Sequence, residues 1–308
     1  MRLKIFALIA SLAIVILLPS GCSIKSIALN SVGDALSGQG TVFTGDNDPE
    51  LVKDALPFAL KLYESVLDGV PDHKPLTLAT AKAFCMYAYA FVQIDAETMS
   101  ADNYERALEL KKRAKNLYLR ARDYALRGLE LNHNGFNELL KKDIKAALVM
   151  TDKNDLELLY WCGAAQVAAL TADKNDVSLM VDMQRGAAMV SRVLELDETF
   201  DSGAAHDFFI SFDGGRSPAM GGSELRAREH FAKAVELSGG KKAGPYLSLA
   251  TSVSVTNQNA AEWKDLLNKA LAIDVDKDPG NRLANIIYQK RAKWLLAHTS
   301  DYFVNEPE

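Results

Sequence analysis

The chain has 308 residues, 48% hydrophobic and 24% charged, the proportions of a folded globular protein with room for a large core. Its 35 lysines and arginines are outnumbered by 40 aspartates and glutamates. No basic stripe runs along it, which argues against a nucleic-acid-binding surface and a polybasic membrane patch.

The first residues read as a leader. Met1–Lys4 carries two positive charges, Ile5–Leu18 is an uncharged apolar run, and Pro19-Ser20-Gly21-Cys22-Ser23 follows. A basic start, an apolar stretch short of a bilayer span and small residues before a cut site form a secretory signal. Cysteine directly after Ser-Gly resembles a bacterial lipobox, in which the thiol is acylated before cleavage. Cys22 is then the first mature residue and its lipid a membrane anchor. Lipoboxes usually place Leu three residues before the cysteine; here Pro19 stands there, with Leu18 one further back. An ordinary secretory peptide with a chance cysteine is the alternative. Loss of Arg2 and Lys4 with the leader takes the formal charge from −5 to −7. The expected division is 1–21 as leader, 22–47 as a Ser/Gly-rich membrane-proximal tether with a short helix over Ile27–Leu36, and 48–308 as the folded part. A protein outside the cytoplasm is a poor candidate for work that needs ATP, NAD or nucleic acid.

Beyond residue 48 apolar residues recur at spacings of three and four, and strand-like alternation is scarce, so the expected fold is all-α. Asp48-Pro49-Glu50 is a helix start: a capping carboxylate, proline in the first turn, and a negative charge near the positive end of the dipole. The helix it opens contains Pro57, where a bend is expected. Further breaks are expected at Gly69–Pro75, Asn132–Gly135, Thr151–Asp155, Ala172–Asp176, Asp213–Ser223, Ser238–Gly244 and Asp274–Asn281, with helices of about 12–20 residues between them. Cys85 and Cys162 fall inside apolar helical stretches and are expected as buried free thiols.

Several helices end alike: Arg127-Gly128-Leu129-Glu130-Leu131, Arg192-Val193-Leu194-Glu195-Leu196, Lys233-Ala234-Val235-Glu236-Leu237 and Lys269-Ala270-Leu271-Ala272-Ile273. In the third, Ala227 and Phe231 precede Ala234 by seven and three positions, the pattern of the second helix of a tetratricopeptide-type repeat. Tyr160-Gly163-Ala164-Val167, Tyr246-Leu249-Ala250-Val253 and Phe84-Tyr87-Ala88-Phe91 fit the first helix. Small residues let helices approach and large ones fill the gap to the next pair. The copies are irregularly spaced where a strict array repeats every ~34 residues, so the expectation is a degenerate helical-hairpin solenoid.

Motifs for catalysis are missing. The histidines are scattered, with no H-E-x-x-H, and neither C-x-x-C nor G-x-S-x-G occurs. The glycine-rich loop FDGGRSPAMGGS lacks a phosphate-loop lysine. The acidic run Gly45–Glu50 lacks the glycine and the twelfth-position carboxylate of a calcium loop, so a helix cap explains it better. No cofactor or metal is expected. His206-Asp207 beside Phe208 and Phe209 could line a pocket or, less simply, serve a hydrolase. Tyr160-Trp161 is core filler or cavity wall. Tyr160, Trp161, His206, Phe208 and Phe209 are therefore the candidate ligand- or partner-binding residues, and stacked helix pairs offer a concave face for them.

Taken together, Phe43–Val52 with Ala55-Leu56-Pro57, Leu62-Tyr63-Glu64, Leu78-Ala79-Thr80, Tyr87–Gln93, Gly163-Ala164-Ala165, Gly203–Gly222, Ala227–Ser238, Arg282-Leu283-Ala284-Asn285 and Arg291-Ala292 with Leu295-Leu296 make the chain resemble the TatT family. These are tetratricopeptide-like lipoprotein T components associated with TRAP (tripartite ATP-independent periplasmic) transporters. The resemblance implies a non-enzymatic periplasmic lipoprotein anchored through Cys22, and Ser23 after the cysteine is compatible with sorting to the outer membrane. It also implies association with the solute-binding P component, a homo-oligomer such as a trimer, and a role in capturing or relaying a hydrophobic solute. It carries over no ligand residues. A general envelope scaffold or assembly lipoprotein is the alternative.

Overall fold

The structure, a computed structural model, describes residues 21–38, 40–99, 103–173 and 176–304. The expected leader lies outside them except for Gly21, and of Cys22 the backbone alone is described. Among the described residues every regular element is helical, so the fold is all-α.

Local chemistry sets the helix boundaries. Helix α1 (Gly21–Ser37) is longer than the expected Ile27–Leu36 segment. Helix α2 (Pro49–Gly69) begins where Asp48 Oδ1 accepts hydrogen bonds from the N–H groups of Glu50 and Leu51 at 3.0 and 3.1 Å, and it continues through Pro57 as one element. Helix α3 (Lys74–Ala88) is capped by His73, whose Nδ1 accepts from Leu76 N–H at 3.1 Å while Nε2 lies 3.2 Å from both Asn30 O and Asp34 Oδ1 of α1. That pattern puts the ring proton on Nε2 and ties α1 to the head of α3. A π-turn (Tyr89–Gln93) and the short α4 (Ile94–Glu97) follow.

The next elements are α5 (Tyr104–Asn132), α6 (Phe136–Lys142), α7 (Ile144–Val149), α8 (Leu156–Ala172) and α9 (Val177–Leu196). After them come α10 (Ala204–Gly214), α11 (Glu224–Ser238) and α12 (Gly244–Leu249), which leads into a π-turn (Ala250–Ser254). Helices α13 (Ala260–Leu271) and α14 (Arg282–Ala297) complete the order. Helix α11 stops at Gly239, whose φ of 57° admits the left-handed turn that lets Gly240 N–H reach Val235 O at 2.9 Å.

Two expectations fail. Helix α5 is 29 residues long, well beyond the expected length, because alanines recur along one face and pack against α3 and α8 without a breaker. Breaks also occur where none was expected, before α5, at Asp143 between α6 and α7, and at Asn257–Asn259, where Gln258 has φ 52° and Asn259 caps α13. At the latter two, the side chains of Asp143 and Asn259 accept from backbone N–H groups of the next helix, without a glycine or proline.

The main helix pairs are α3 with α5, α5 with α8, α8 with α9, α10 with α11, and α12 with α13 and α14. The α8–α9 pair approaches through glycine. A Cβ on Gly163 would be driven into the Gly186 carbonyl, and one on Gly186 would stand 3.0 Å from Gly163 O. The last helix then returns to the first ones. Leu283 and Ile287 of α14 belong to the same buried cluster as Val52, Leu56, Phe84 and Tyr118. Leu283 N–H donates to Thr44 O and Arg282 Nη1 to Gly45 O, both at 2.9 Å. A second cluster, around Trp263, Leu247, Leu267 and Leu295, fills the C-terminal helices.

Candidate ligand-binding face

Helix α8 is apolar around its whole circumference (LELLYWCGAAQVAAL), so packing on α5 and α9 uses only part of its surface. Tyr160 leaves that packed face. Its ring meets Trp161 edge-on at 5.2 Å and tilts against Phe200 at 5.5 Å. The Lys82 ammonium sits 5.8 Å from the Trp161 ring. From the π-turn after α3, Tyr89 reaches across to Tyr288 of α14, with ring centroids 5.9 Å apart. The Tyr89 hydroxyl accepts from Arg291 Nη1 at 2.9 Å, and Arg291 is held by Glu97 Oε2 at 2.8 Å. From α10, Asp207 Oδ1 accepts from the Ser248 hydroxyl of α12 at 2.6 Å. The Tyr288 ring and Asp207 Oδ2 converge on the bare backbone of Gly244, 3.5 and 2.5 Å from where its Cβ would sit.

The π-turn after α3 and helices α10, α12 and α14 therefore bring Tyr89, Asp207, Ser248 and Tyr288 together, with Tyr160 of α8 within electrostatic reach of Asp207. Protein surrounds these side chains, yet each keeps some accessible surface. Burial raises the phenol pKa of Tyr89, Tyr160 and Tyr288, and the Asp207 carboxylate adds to it in each case. Burial likewise pushes Asp207 up to about 6, against the opposing pull of the Ser248 hydrogen bond and Lys242. The result is an enclosed, largely aromatic face with one titratable carboxylate.

The residues singled out from sequence divide between this face and the packing around it. Tyr160 belongs to the face, with Trp161 beside it. His206 is buried behind it: its Nδ1 lies 2.8 Å from Nδ1 of His230, one ring donating to the other, and Glu198 Oε1 stands 3.5 Å from its Nε2. Burial holds both imidazoles below the usual histidine range. Phe209 stacks on His230 at 5.1 Å, and Phe208 on Phe212 at 5.5 Å. His206 and Asp207, adjacent in the chain, point to different partners on different helices and make no acid–base pair. Cys85 and Cys162 are buried free thiols, and burial pushes each up to about 12. The glycine-rich loop closes on an ion cluster, with Asp213 between Arg216 (3.2 Å) and Arg226 (2.8 Å). Among the described residues no cluster of His, Cys, Asp and Glu is placed to hold a metal ion.

Sequence reasoning missed Tyr89, Ser248 and Tyr288 on this face, and took Asp207 only as an appendage of His206. A signal was available in part, because Tyr89 and Arg291 fall inside stretches that carry the family resemblance.

Packed helix pairs with no other regular element among the described residues define an all-α helical protein. The particular family is equally plain: residues 45–303 match the model of the TRAP transporter T-component, and the chain belongs to that family. An uncharacterized protein of Treponema pallidum (strain Nichols) is 31% identical over 307 residues, covering 94% of this chain and 95% of its own. The family is one of transporter components, not of enzymes, and places the protein in the periplasm or at a membrane. Among the described residues no helix is long and apolar enough to cross a membrane.

Proposed function

We propose that this protein is a lipid-anchored accessory of a TRAP transporter that docks the solute-binding P component and passes it an apolar solute across the inner aromatic face. The observation that carries the reading is the convergence of Tyr89, Tyr160 and Tyr288 from three separate parts of the chain on one enclosed surface. Aromatic side chains that are enclosed but still accessible suit an apolar ligand. The helix pairs act as degenerate tetratricopeptide repeats, with 1–21 as leader, 22–47 as the membrane-proximal segment and 48–308 as the repeat body.

Acylation of Cys22 fits the placement of α1. This helix includes the cysteine in its first turn and packs on the body through Leu29 and Leu36, so a lipid there would hold the repeats close to the bilayer (outer membrane by preference). Docking draws support from α2, where Leu51 and Phe58, two turns apart on one stripe, are 59% and 74% exposed. That stripe can serve the P component or a further copy of the chain, with a trimer as the expected assembly.

Affinity purification from the native host tests the role. The expected result is co-purification of a TRAP solute-binding protein, weakened by Phe58→Glu. Recovery of outer-membrane assembly proteins in its place would support a general envelope scaffold. For the anchor, Cys22→Ala is expected to shift the protein from the membrane pellet to the soluble fraction; a variant that still sediments in high salt would refute acylation at that residue.

A further inference from the structure

Helix α1 is apolar on two opposite sides, and the body covers one of them. Toward the body, Leu29 and Leu36 pack against the buried cluster of Val66, Leu67 and Leu76. Leu29 fills the space over the bare backbone of Gly69, and a Cβ on Gly33 would stand 2.7 Å from His73 Nε2. That nitrogen lies 3.2 Å from Asn30 O and Asp34 Oδ1. The helix is therefore fixed to α2 and α3 and has a defined outer face. At about 100° per residue, that face carries Ile24, Ile27, Ala28, Ser31 and Ala35. All five are exposed, Ile24 by 68% and Ile27 by 62%. No charged side chain lies among them, because Lys25 and Asp34 stand on opposite flanks. The polar member, Ser31, turns its hydroxyl back onto Ile27 O at 3.1 Å, so its donor is satisfied within the helix.

We infer that this outer face lies in the surface layer of a lipid bilayer, with α1 flat in the membrane plane and Ile24 and Ile27 reaching the acyl chains. The inference rests on the reading that Cys22 is acylated, and it adds a second membrane contact to that anchor. Ile24 and Ile27 follow Cys22 by two and five residues. Within one helix that is a rise of about 3 and 7.5 Å, so an acyl chain on the cysteine delivers both to the bilayer. The uncharged stripe then runs on to Ala35, about 16 Å from Ile24, and an upright helix would leave most of it in water. A helix that is apolar on both sides is suited to being covered on both. Lys25, on the flank, is placed to meet lipid phosphates with its ammonium. The apolar area is too small to hold the protein by itself, so the lipid supplies the affinity and α1 the orientation. Because α1 packs where α2 ends and α3 begins, the turn between them faces the membrane.

Fluorescence of the full acylated protein in vesicles of phosphatidylcholine and phosphatidylglycerol tests it. Ala28→Cys and Ala35→Cys on the outer face, and Glu229→Cys on α11, each receive an environment-sensitive thiol dye; Cys85 and Cys162 are buried and do not compete. The dyes at positions 28 and 35 are expected to shift to the blue and to lose at least about half their emission to lipids with a nitroxide high on the acyl chain. The dye at position 229 is expected to do neither. Ile24→Asp with Ile27→Asp alters only exposed side chains. It is expected to restore the emission at position 28 while the protein still sediments with the vesicles, and circular dichroism checks that each variant is folded. Dyes at 28 and 35 that stay unquenched on sedimenting protein overturn the flat placement and leave the lipid anchor standing. A blue shift without quenching would mean that a second copy of the chain covers the face, and overturns the placement as well. Equal quenching at all three positions shows adsorption without a defined face and has the same consequence. Protein that carries no acyl group by mass spectrometry and stays in the supernatant overturns the anchor reading together with the inference.

Discussion

Asp207 links stability to pH with an unusual sign. Its carboxyl is raised to about 6 in the folded protein from an ordinary 3.8. Between those values the unfolded chain has lost the proton and the folded chain has kept it, so the residue makes the fold less stable as pH rises through that window. Above about 6 the penalty is complete. Asp207→Asn removes it. The variant is expected to be more stable than the unaltered protein by about 1–3 kcal/mol at pH 7.5, with the difference shrinking toward pH 4, in urea titrations at both pH values. The pair His206–His230 works in the opposite direction. Both imidazoles are depressed, so their contribution is present above the ordinary histidine range and is lost as pH falls below it. Comparison of the variant with its parent at each pH cancels that term. The cysteines are a second test of burial: with both thiols pushed to about 12, neither is expected to react with Ellman's reagent at pH 8 until the protein is unfolded, and rapid labelling of the native protein would contradict it.

Among the elements, the α8–α9 crossing depends on two glycines that leave no room for a methyl group. Gly163→Ala is expected to cost about 1–3 kcal/mol, measured as a lowered urea midpoint with unchanged slope. Gly163 was visible in the sequence as the small residue of a first-helix pattern, whereas its partner Gly186 was not, because nothing local marks the residue that will lie opposite. The same division holds more widely. Asp48 and the glycine that ends α11 act through the few residues beside them, so the sequence shows them directly. The inner face is a different matter. Tyr160 is conspicuous in an apolar run, but Tyr89, Ser248 and Tyr288 look like ordinary helix residues until α14 is brought back against α2. Adjacency even misled, since His206 and Asp207 sit side by side in the chain and face different helices. Asn285 shows how such a return is secured: 1% exposed, it accepts from Ala243 N–H and donates to Lys241 O, both at 2.9 Å, and so fixes the turn between α11 and α12. Asn285→Ala should destabilise the protein by about 2–3 kcal/mol in the same titration.

For the molecule as a whole, α14 belongs to both ends of the core. Its Leu295 lies in the cluster around Trp263, and its Leu283 and Ile287 lie in the cluster around Tyr118. The expected behaviour is a single cooperative transition in which both clusters melt together, and Leu283→Asp should lower its midpoint without splitting it. Two resolved transitions, by fluorescence and circular dichroism, would show that the clusters fold separately. The closure also bears on how the protein is made. An exported chain emerges with its N-terminus first, yet the partner of Tyr89 is Arg291, 202 positions later. Until that stretch has been made, the cluster that holds Val52 and Leu56 lacks Leu283 and Ile287. A chain cut short of Leu283 would therefore lack both the apolar cover and the Arg291–Tyr89 hydrogen bond that tie its two ends together.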